Sequence, residues 1–211
     1  MISIIILGGG VGSRFGATIP KQFITIAGKK IIDITIEKFL SLRNKYELEI
    51  IVVSHPSRND SYPGVKFVPG STSRFNSFFN GYCATNPKSH KILVHDAVRP
   101  LISEDIIIRL INELDRYDAA IPIIKPYSST VIEIEGKIQN IDRDAINMTQ
   151  TPEAFTRSSF SKLYDIEAPS SNDRTSIFSL FVDNQDKCSI KLIPGSQDNI
   201  KITNKYNLDL A

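Results

Sequence analysis

The chain has almost no excess of charge: 25 Lys and Arg stand against 23 Asp and Glu, a formal net charge of +2. A polybasic nucleic-acid binder needs a marked cationic surplus gathered on one face, so that class is excluded, while a local basic pocket for a small anion stays open. Cysteine is scarce as well. Cys83 and Cys188 lie far apart without CxxC spacing, which excludes a disulfide framework and a zinc site and leaves both as small buried hydrophobes. No apolar run is long enough to span a membrane. The opening MISIIILGGG is soon broken by glycine and lacks the basic flank of a signal peptide, so no membrane partner is expected and a cytoplasmic protein is the default. Repeats and low-complexity tracts are also missing, and the most irregular stretch is NDSYPG, Asn59 to Gly64.

What is present is an ordinary folded composition, 41% hydrophobic and 23% charged over 211 residues, enough for one large core in a single domain spanning 1–211. Ile2 to Leu7 is a β-branched run ending in three glycines, a strand buried on both faces that feeds a tight turn. Ile32, Ile36, Phe39 and Leu40 then recur at helical spacing within Ile31 to Leu42, and Leu48 to Val53 is strand-like again. Val65 to Val68 predicts another strand. A helix follows, its start marked at Ser71 to Ser73, carrying Phe75, Phe78, Phe79 and Tyr82. Lys91 to His95 is a strand. Ser103 with Glu104 and Asp105 caps a helix running to Asp118, before the buried strand AAIPII. Strands alternating with helices predict a three-layer α/β fold with a mostly parallel, Rossmann-like sheet.

The stretch TVIEIEGKIQNIDR, Thr130 to Arg143, breaks this rhythm and reads as a β-hairpin turning at Glu135-Gly136-Lys137, with one apolar face. Too small to stand alone, such an arm, at about 125–148, must pack on the body of the domain or on a second subunit. Helices around Ser158 to Ile166 and Thr175 to Val182, strands near Ser189 to Ile193 and Asn199 to Thr203, and a short last helix complete the expectation.

Two segments carry chemistry. Gly8-Gly9-Gly10-Val11-Gly12-Ser13-Arg14 follows the first strand, and Pro20-Lys21-Gln22 comes close behind. Glycines there let backbone N–H groups converge on phosphate oxygens, because no Cβ blocks the approach. Phe15 stands where the dinucleotide fingerprint needs glycine, and no GK[ST] follows for a P-loop. Arg14 and Lys21 instead place two cations on the loop, which suits the triphosphate of a single nucleotide. The second segment is His95-Asp96-Ala97-Val98-Arg99-Pro100, directly after a strand. Asp96 sits where open α/β sheets bind ligands and can hold Mg²⁺ or a substrate hydroxyl. His95 and Arg99, taken by themselves, read as structural.

GGGxGSRxG followed by PKQF resembles the signature loop of the nucleotidyltransferases that build nucleoside-diphosphate sugars and polyols. PKQF and HDAVRP narrow the resemblance to the polyol-phosphate cytidylyltransferases, the methylerythritol-phosphate and ribitol-phosphate enzymes. PGSTSR at Pro69 to Arg74, QTPEAF at Gln150 to Phe155 and DNIKIT at Asp198 to Thr203 extend it over nearly the whole chain.

The resemblance implies CMP transfer from CTP to a linear polyol phosphate, with Mg²⁺ as cofactor. Leu7, Gly8, Gly9, Gly10 and Gly12 would cradle the triphosphate, with Arg14, Lys21 and Lys201 as catalytic cations. Gly70, Ser71, Arg74 and Ser77 would frame the nucleotide, with Asp96 near the metal and ribose. Asp96, Ala97, Arg99, Thr130, Arg143 and Thr151 would serve the acceptor, and the arm would make a homodimer so that Thr130 and Arg143 reach the neighbouring subunit. Ser129-Thr130 replaces the usual Asp-Thr pair, and Asn172 to Ser176 only partly matches Thr-Asp-Asp-Ala-Ser. Small cues, among them Arg143-Asp144, favour ribitol phosphate and cell-surface polymer synthesis over methylerythritol phosphate and isoprenoid synthesis. A relative that binds CTP without catalysis, and a nicotinamide-dependent dehydrogenase, are the remaining alternatives. The dehydrogenase lacks its third glycine, and its acidic ribose ligand would have to be Asp33, inside a helical segment.

Overall fold

The computed structural model describes residues 1–10, 20–55, 61–167 and 176–211. Its centre is a mixed sheet. β1 (Ile2–Leu7) pairs in parallel with β4 (Leu48–Ser54) on one side and β6 (Lys91–Asp96) on the other, and β5 (Lys66–Pro69) extends the β4 edge. These strands are β-branched runs because helices cover both of their faces. Ile4 and Ile6 of β1 join α1 (Ile31–Leu40) and α3 (Glu104–Glu113) in one core layer. Ile5 points the other way, into a layer with α2 (Arg74–Cys83), α4 (Arg157–Glu167) and α5 (Phe178–Asp183).

Beyond β6 the parallel pattern is interrupted. β11 (Glu153–Thr156) runs antiparallel between β6 and β7 (Ala119–Ile124), and β12 (Ile190–Pro194) adds to β7 in parallel. A short β10 (Met148–Thr149) continues the β11 line on β7. Met148 faces Ile124 and Ala154 faces Ala120, six residues advanced against four, so two residues bulge between them in the segment Gln150–Pro152. That bulge lies beside Asp96.

Several elements differ from expectation. The first helix ends at Leu40 and continues as a 3₁₀ turn, Ser41–Asn44. α3 stops at Glu113, five residues before Asp118, because Leu114 to Tyr117 bend through turns that bring Asp118 to Ser189. Asn199 to Thr203 is not a strand, although Ile202 N–H donates to Val98 O at 2.9 Å. A small hairpin of β2 (Thr25–Ile26) and β3 (Lys29–Lys30) turns at Ala27 and Gly28, both with positive φ. Cys188 is half-buried, but Cys83 is exposed, as the last residue of α2.

The arm is β8 (Thr130–Ile134) and β9 (Lys137–Ile141), which pair only with each other. Its turn is Glu135-Gly136, with φ of 50° and 77°. Directly opposed residues share a face, so Ile132 with Gln139 and Ile134 with Lys137 lie on one side, and Glu133 with Ile138 on the other. The expected single apolar face is therefore divided: the turn puts Ile138 in phase with Val131, away from Ile132 and Ile134. The chain ends in α6 (Lys205–Leu210), capped by Asn204. No helix among the described residues is long and apolar enough to cross a membrane.

Candidate active site

A cleft of about 260 Å³ opens where β1 and β6 end side by side, Leu7 opposite Asp96. Its lining includes Leu7 to Gly10, Lys21, Gln22, Ser71 to Arg74, Ser77, Asp96 and Lys201. Two loops meet there backbone to backbone. A Cβ on Gly70 would stand 3.1 Å from Ser54 O and 3.4 Å from Gly9 Cα, so a side chain would force the loops apart. Gly8 is equally confined, with Ile32 Cδ1 at 3.0 Å from its notional Cβ.

Gln22 holds the glycine loop. It sits in the 3₁₀ turn Lys21–Phe23, almost wholly buried, and its Nε2 donates to Gly8 O at 2.6 Å and Gly10 O at 3.0 Å. Across the cleft, α2 begins at Ser73, whose side chain accepts from Asn76 N–H, and the helix N-terminus adds positive potential. One turn on, Ser77 Oγ accepts from Ser71 N–H at 2.9 Å and fixes the preceding loop.

Asp96 is the acidic residue of the described lining, and three cations surround it. Lys201 Nζ lies at 2.7 Å, Arg74 Nη2 at 3.4 Å and Arg99 Nε at 3.7 Å. Burial alone would raise the Asp96 pKa, but Arg74, Lys201 and Arg99 outweigh it and hold the carboxyl far below the ordinary aspartate range. Arg74 also pairs with Glu153 of β11 at 2.9 Å, and burial, which would lower its pKa, is outweighed by Glu153 and Asp96.

Behind Asp96 a hydrogen-bond chain has one consistent assignment. Burial lowers the His95 pKa to about 4, so the ring is neutral at pH 7. Arg99 O can only accept, so His95 Nε2, at 3.1 Å, carries the proton. Thr151 O–H therefore donates to His95 Nδ1, and Thr151 Oγ1 accepts from Asp96 N–H, each at 3.1 Å. The bulge also grips the C-terminal loop. Gln150 Nε2 donates to Ser196 O at 2.7 Å, Asn199 Nδ2 to Thr151 O at 2.9 Å and Arg99 Nη1 to Asn199 O at 2.6 Å. This loop delivers Lys201 to Asp96.

The cleft thus collects Leu7, Gly8, Gly9, Gly10, Lys21, Ser71, Arg74, Ser77, Asp96 and Lys201, with Gly70 in the wall behind. Gly12 and Arg14 lie outside the described residues, as do Asn172 to Thr175. Ala97 is buried against the glycine loop, Thr151 in the bulge, and Arg99 turns toward Asn199; none of the three lines the cleft. Thr130 and Arg143 sit on and beside the arm, bonded to Ser128 O and Tyr127 O, and the cleft of their own chain does not include them. Gln22, Gln150, Glu153 and Asn199 had no assigned role in the sequence. Their one signal is membership of the PKQF, QTPEAF and DNIKIT segments.

The described residues contain no cluster of three or more His, Cys, Asp or Glu able to enclose a metal. Magnesium does not demand one, since it is bound by one or two carboxylates together with substrate phosphates and water. Asp96, in the wall of the cleft, supplies one such carboxylate and so fits that donor set.

The family model for IspD, 2-C-methyl-D-erythritol 4-phosphate cytidylyltransferase, matches residues 2–211. Among curated proteins, the chain is 32% identical to a bifunctional ribulose 5-phosphate reductase/CDP-ribitol pyrophosphorylase of Haemophilus influenzae, over 98% of this chain and 46% of that protein. It is 30% identical to a 2-C-methyl-D-erythritol 4-phosphate cytidylyltransferase of Clostridium botulinum, over 99% of this chain and 96% of that one. It therefore spans about half the length of bifunctional relatives and nearly all of a monofunctional one. The crystal structure of 4-diphosphocytidyl-2C-methyl-D-erythritol synthase from Anaerococcus prevotii superposes with a TM-score of 0.85 at 29% identity, covering 100% of this chain and 96% of that chain. With a family match running over residues 2–211, a similar overall fold and a glycine-lined cleft at the carboxyl edge of its own sheet, the chain belongs to the IspD family of CTP-dependent polyol-phosphate cytidylyltransferases.

Proposed function

We propose that this protein transfers CMP from CTP to 2-C-methyl-D-erythritol 4-phosphate, releasing pyrophosphate. The observation that carries the acceptor is the match of the methylerythritol-phosphate family model over residues 2–211. It outweighs the small cues that pointed to ribitol phosphate. The Haemophilus relative, matched over 98% of this chain, keeps ribitol 5-phosphate as the second reading.

In the reaction an acceptor phosphate oxygen attacks the α-phosphorus of CTP while the bond to the leaving pyrophosphate breaks. The acceptor dianion is already nucleophilic at neutral pH, so no general base is needed, and catalysis rests on positioning and charge. Gly8 to Gly10 offer backbone to the triphosphate, and Lys21, Arg14 and Lys201 neutralise it. Ser71 and Ser77 frame the base. Asp96 would hold Mg²⁺ together with nucleotide phosphates, and the ion would supply further neutralisation of the triphosphate. Thr130 and Arg143 would meet the acceptor phosphate from a second copy of the chain. The exposed Val131, Ile132, Ile134 and Ile138 of the arm support that dimer, because a two-stranded ribbon with apolar residues on both faces needs a partner.

Pyrophosphate release with CTP and Mg²⁺ should be measured in parallel with methylerythritol, ribitol, glycerol and arabinitol phosphates. Turnover with methylerythritol phosphate alone is expected. Turnover with ribitol phosphate alone would transfer the assignment to the second reading, and CTP binding without turnover on any of the four would overturn both.

A further inference from the structure

Glu153 is a buried carboxylate beside the cleft to which the transfer chemistry gives no task. It is 3% exposed, a costly place for a charge unless both oxygens are engaged. Both are. Oε1 accepts from Arg74 Nη2 at 2.9 Å, and Oε2 accepts from Phe178 N–H, near the start of α5, at 2.8 Å. The same Arg74 Nη2 lies 3.4 Å from Asp96 Oδ1, so one guanidinium nitrogen stands between carboxylates on two neighbouring strands. Arg74 Nη1, meanwhile, is buried with no partner among the described residues. A guanidinium free to choose its own hydrogen bonds would not leave a nitrogen so placed, because a buried donor without a partner is costly. The two acids dictate its orientation.

Asp96 already carries Lys201 at 2.7 Å and Arg99 at 3.7 Å. Were Arg74 committed to it as well, three cations would compete for one carboxylate. Glu153 draws Arg74 to the far side of Asp96, at Oδ1, while Oδ2 faces Lys201 Nζ at 2.7 Å with Arg99 Nε farther off at 3.7 Å. We propose that Glu153 is a positioning residue of the transfer reaction, dividing Arg74 between two carboxylates so that Asp96 and Lys201 keep the geometry the cleft presents to its nucleotide. The inference rests on the cytidylyl-transfer reading. It places the larger effect in turnover, because the glycine loop and Lys21 line the cleft apart from the Asp96–Lys201 pair and keep their hold on the triphosphate when that pair shifts.

Glu153→Gln, Arg74→Lys and the double variant test it. Glutamine has one acceptor oxygen for two donors, and a lysine ammonium cannot copy the planar fork that bridges two carboxylates. Glu153→Gln is expected to lower kcat at least tenfold while the CTP Kd, read by calorimetry, changes less than threefold. The double variant should be no slower than Arg74→Lys alone. Wild-type kcat in Glu153→Gln, or losses that multiply in the double variant, would overturn the proposal. If Glu153→Gln does not fold, Arg74→Lys is judged by the split: a tenfold loss of kcat with the CTP Kd changed less than threefold supports the bridge, and unchanged kcat, or a loss carried by the CTP Kd, refutes it. A crystal structure of Glu153→Gln, or of Arg74→Lys in that event, gives an answer independent of turnover. Lengthening of the Lys201–Asp96 pair is expected, and an unchanged pair refutes the idea. Wild-type protein inactive on every acceptor would instead strike the function reading, leaving that structure to judge Glu153.

Discussion

Around Asp96, polar groups are bound to one another in depth. Thr151 serves Asp96 and His95, His95 serves Arg99 O, Arg99 serves Asn199, and Asn199 returns to Thr151. On the arm, Tyr127, Val131 and Ile138 are 74%, 60% and 72% exposed, and the two strands bond only to each other. In the low dielectric there an unmet donor is expensive, so these linked groups specify each other's positions. The arm has no such closure, and its apolar side chains stand exposed on the single chain. Geometry for phosphate chemistry is set by the first region. Whatever the arm contributes depends on what it meets.

The sharpest way to break this comparison is at the cleft. Lys21→Ala should reduce kcat by about 10²–10³-fold, because negative charge gathers between the α-phosphate and the leaving pyrophosphate in the transition state. CTP affinity should fall by much less, and steady-state kinetics beside calorimetry separate the two. Unchanged turnover would remove Lys21 from the mechanism.

A second test uses pH. His95 is neutral in the fold with a pKa of about 4, against 6.5 for the ordinary side chain. Between those values the unfolded chain takes up a proton that the native chain refuses, so stability is full above pH 6.5 and declines as pH falls toward 4. The full loss is about 3 kcal/mol. Asp96, whose pKa is depressed, adds its own loss only below its ordinary value of 3.8. Denaturant midpoints at pH 7, 5.5 and 4.5 should show the decline, and His95→Gln should flatten it. A wild-type protein equally stable at 7 and 4.5 would mean that the ring is not sealed.

Gln22→Ala is a smaller perturbation of the same region. Gly8 O, buried, loses its donor, whereas Gly10 is exposed and its carbonyl can turn to water. A cost of about 1–3 kcal/mol follows, read in the urea midpoint. The KM for CTP should rise with it as the glycine loop loosens.

Much of this was legible in the sequence because its signals are local. Ile2 to Leu7, Leu48 to Val53 and AAIPII announce strands by largely continuous apolar runs, and Ser73 and Ser103 mark helix starts where the caps form. The glycine loop, Lys21, Asp96 and Lys201 could be gathered from separate motifs. Pairing order was not legible: nothing within Glu153 to Thr156 says that it inserts antiparallel between β6 and β7. Gln22, Gln150 and Asn199 matter through partners 12 to 100 residues away, which no local pattern encodes. The division of the arm's apolar residues depended on the turn, since one residue of register moves Ile138 to the other face.

The arm gives the finest test of its independence. Glu135 occupies a φ of 50° beside Gly136 at 77°, a two-residue turn in which asparagine is far more at ease than glutamate. Glu135→Asn relieves about 1 kcal/mol of local strain. If the arm stands apart from the core, that energy stays in the hairpin: amide exchange across β8 and β9 should slow several-fold, while the melting temperature of the whole protein hardly moves. A clear rise in melting temperature would show that the arm and the core unfold together. The contrast between an interlocked cleft and a separate arm would then be false, because cooperative unfolding needs more coupling between them than a ribbon whose strands pair only with each other supplies.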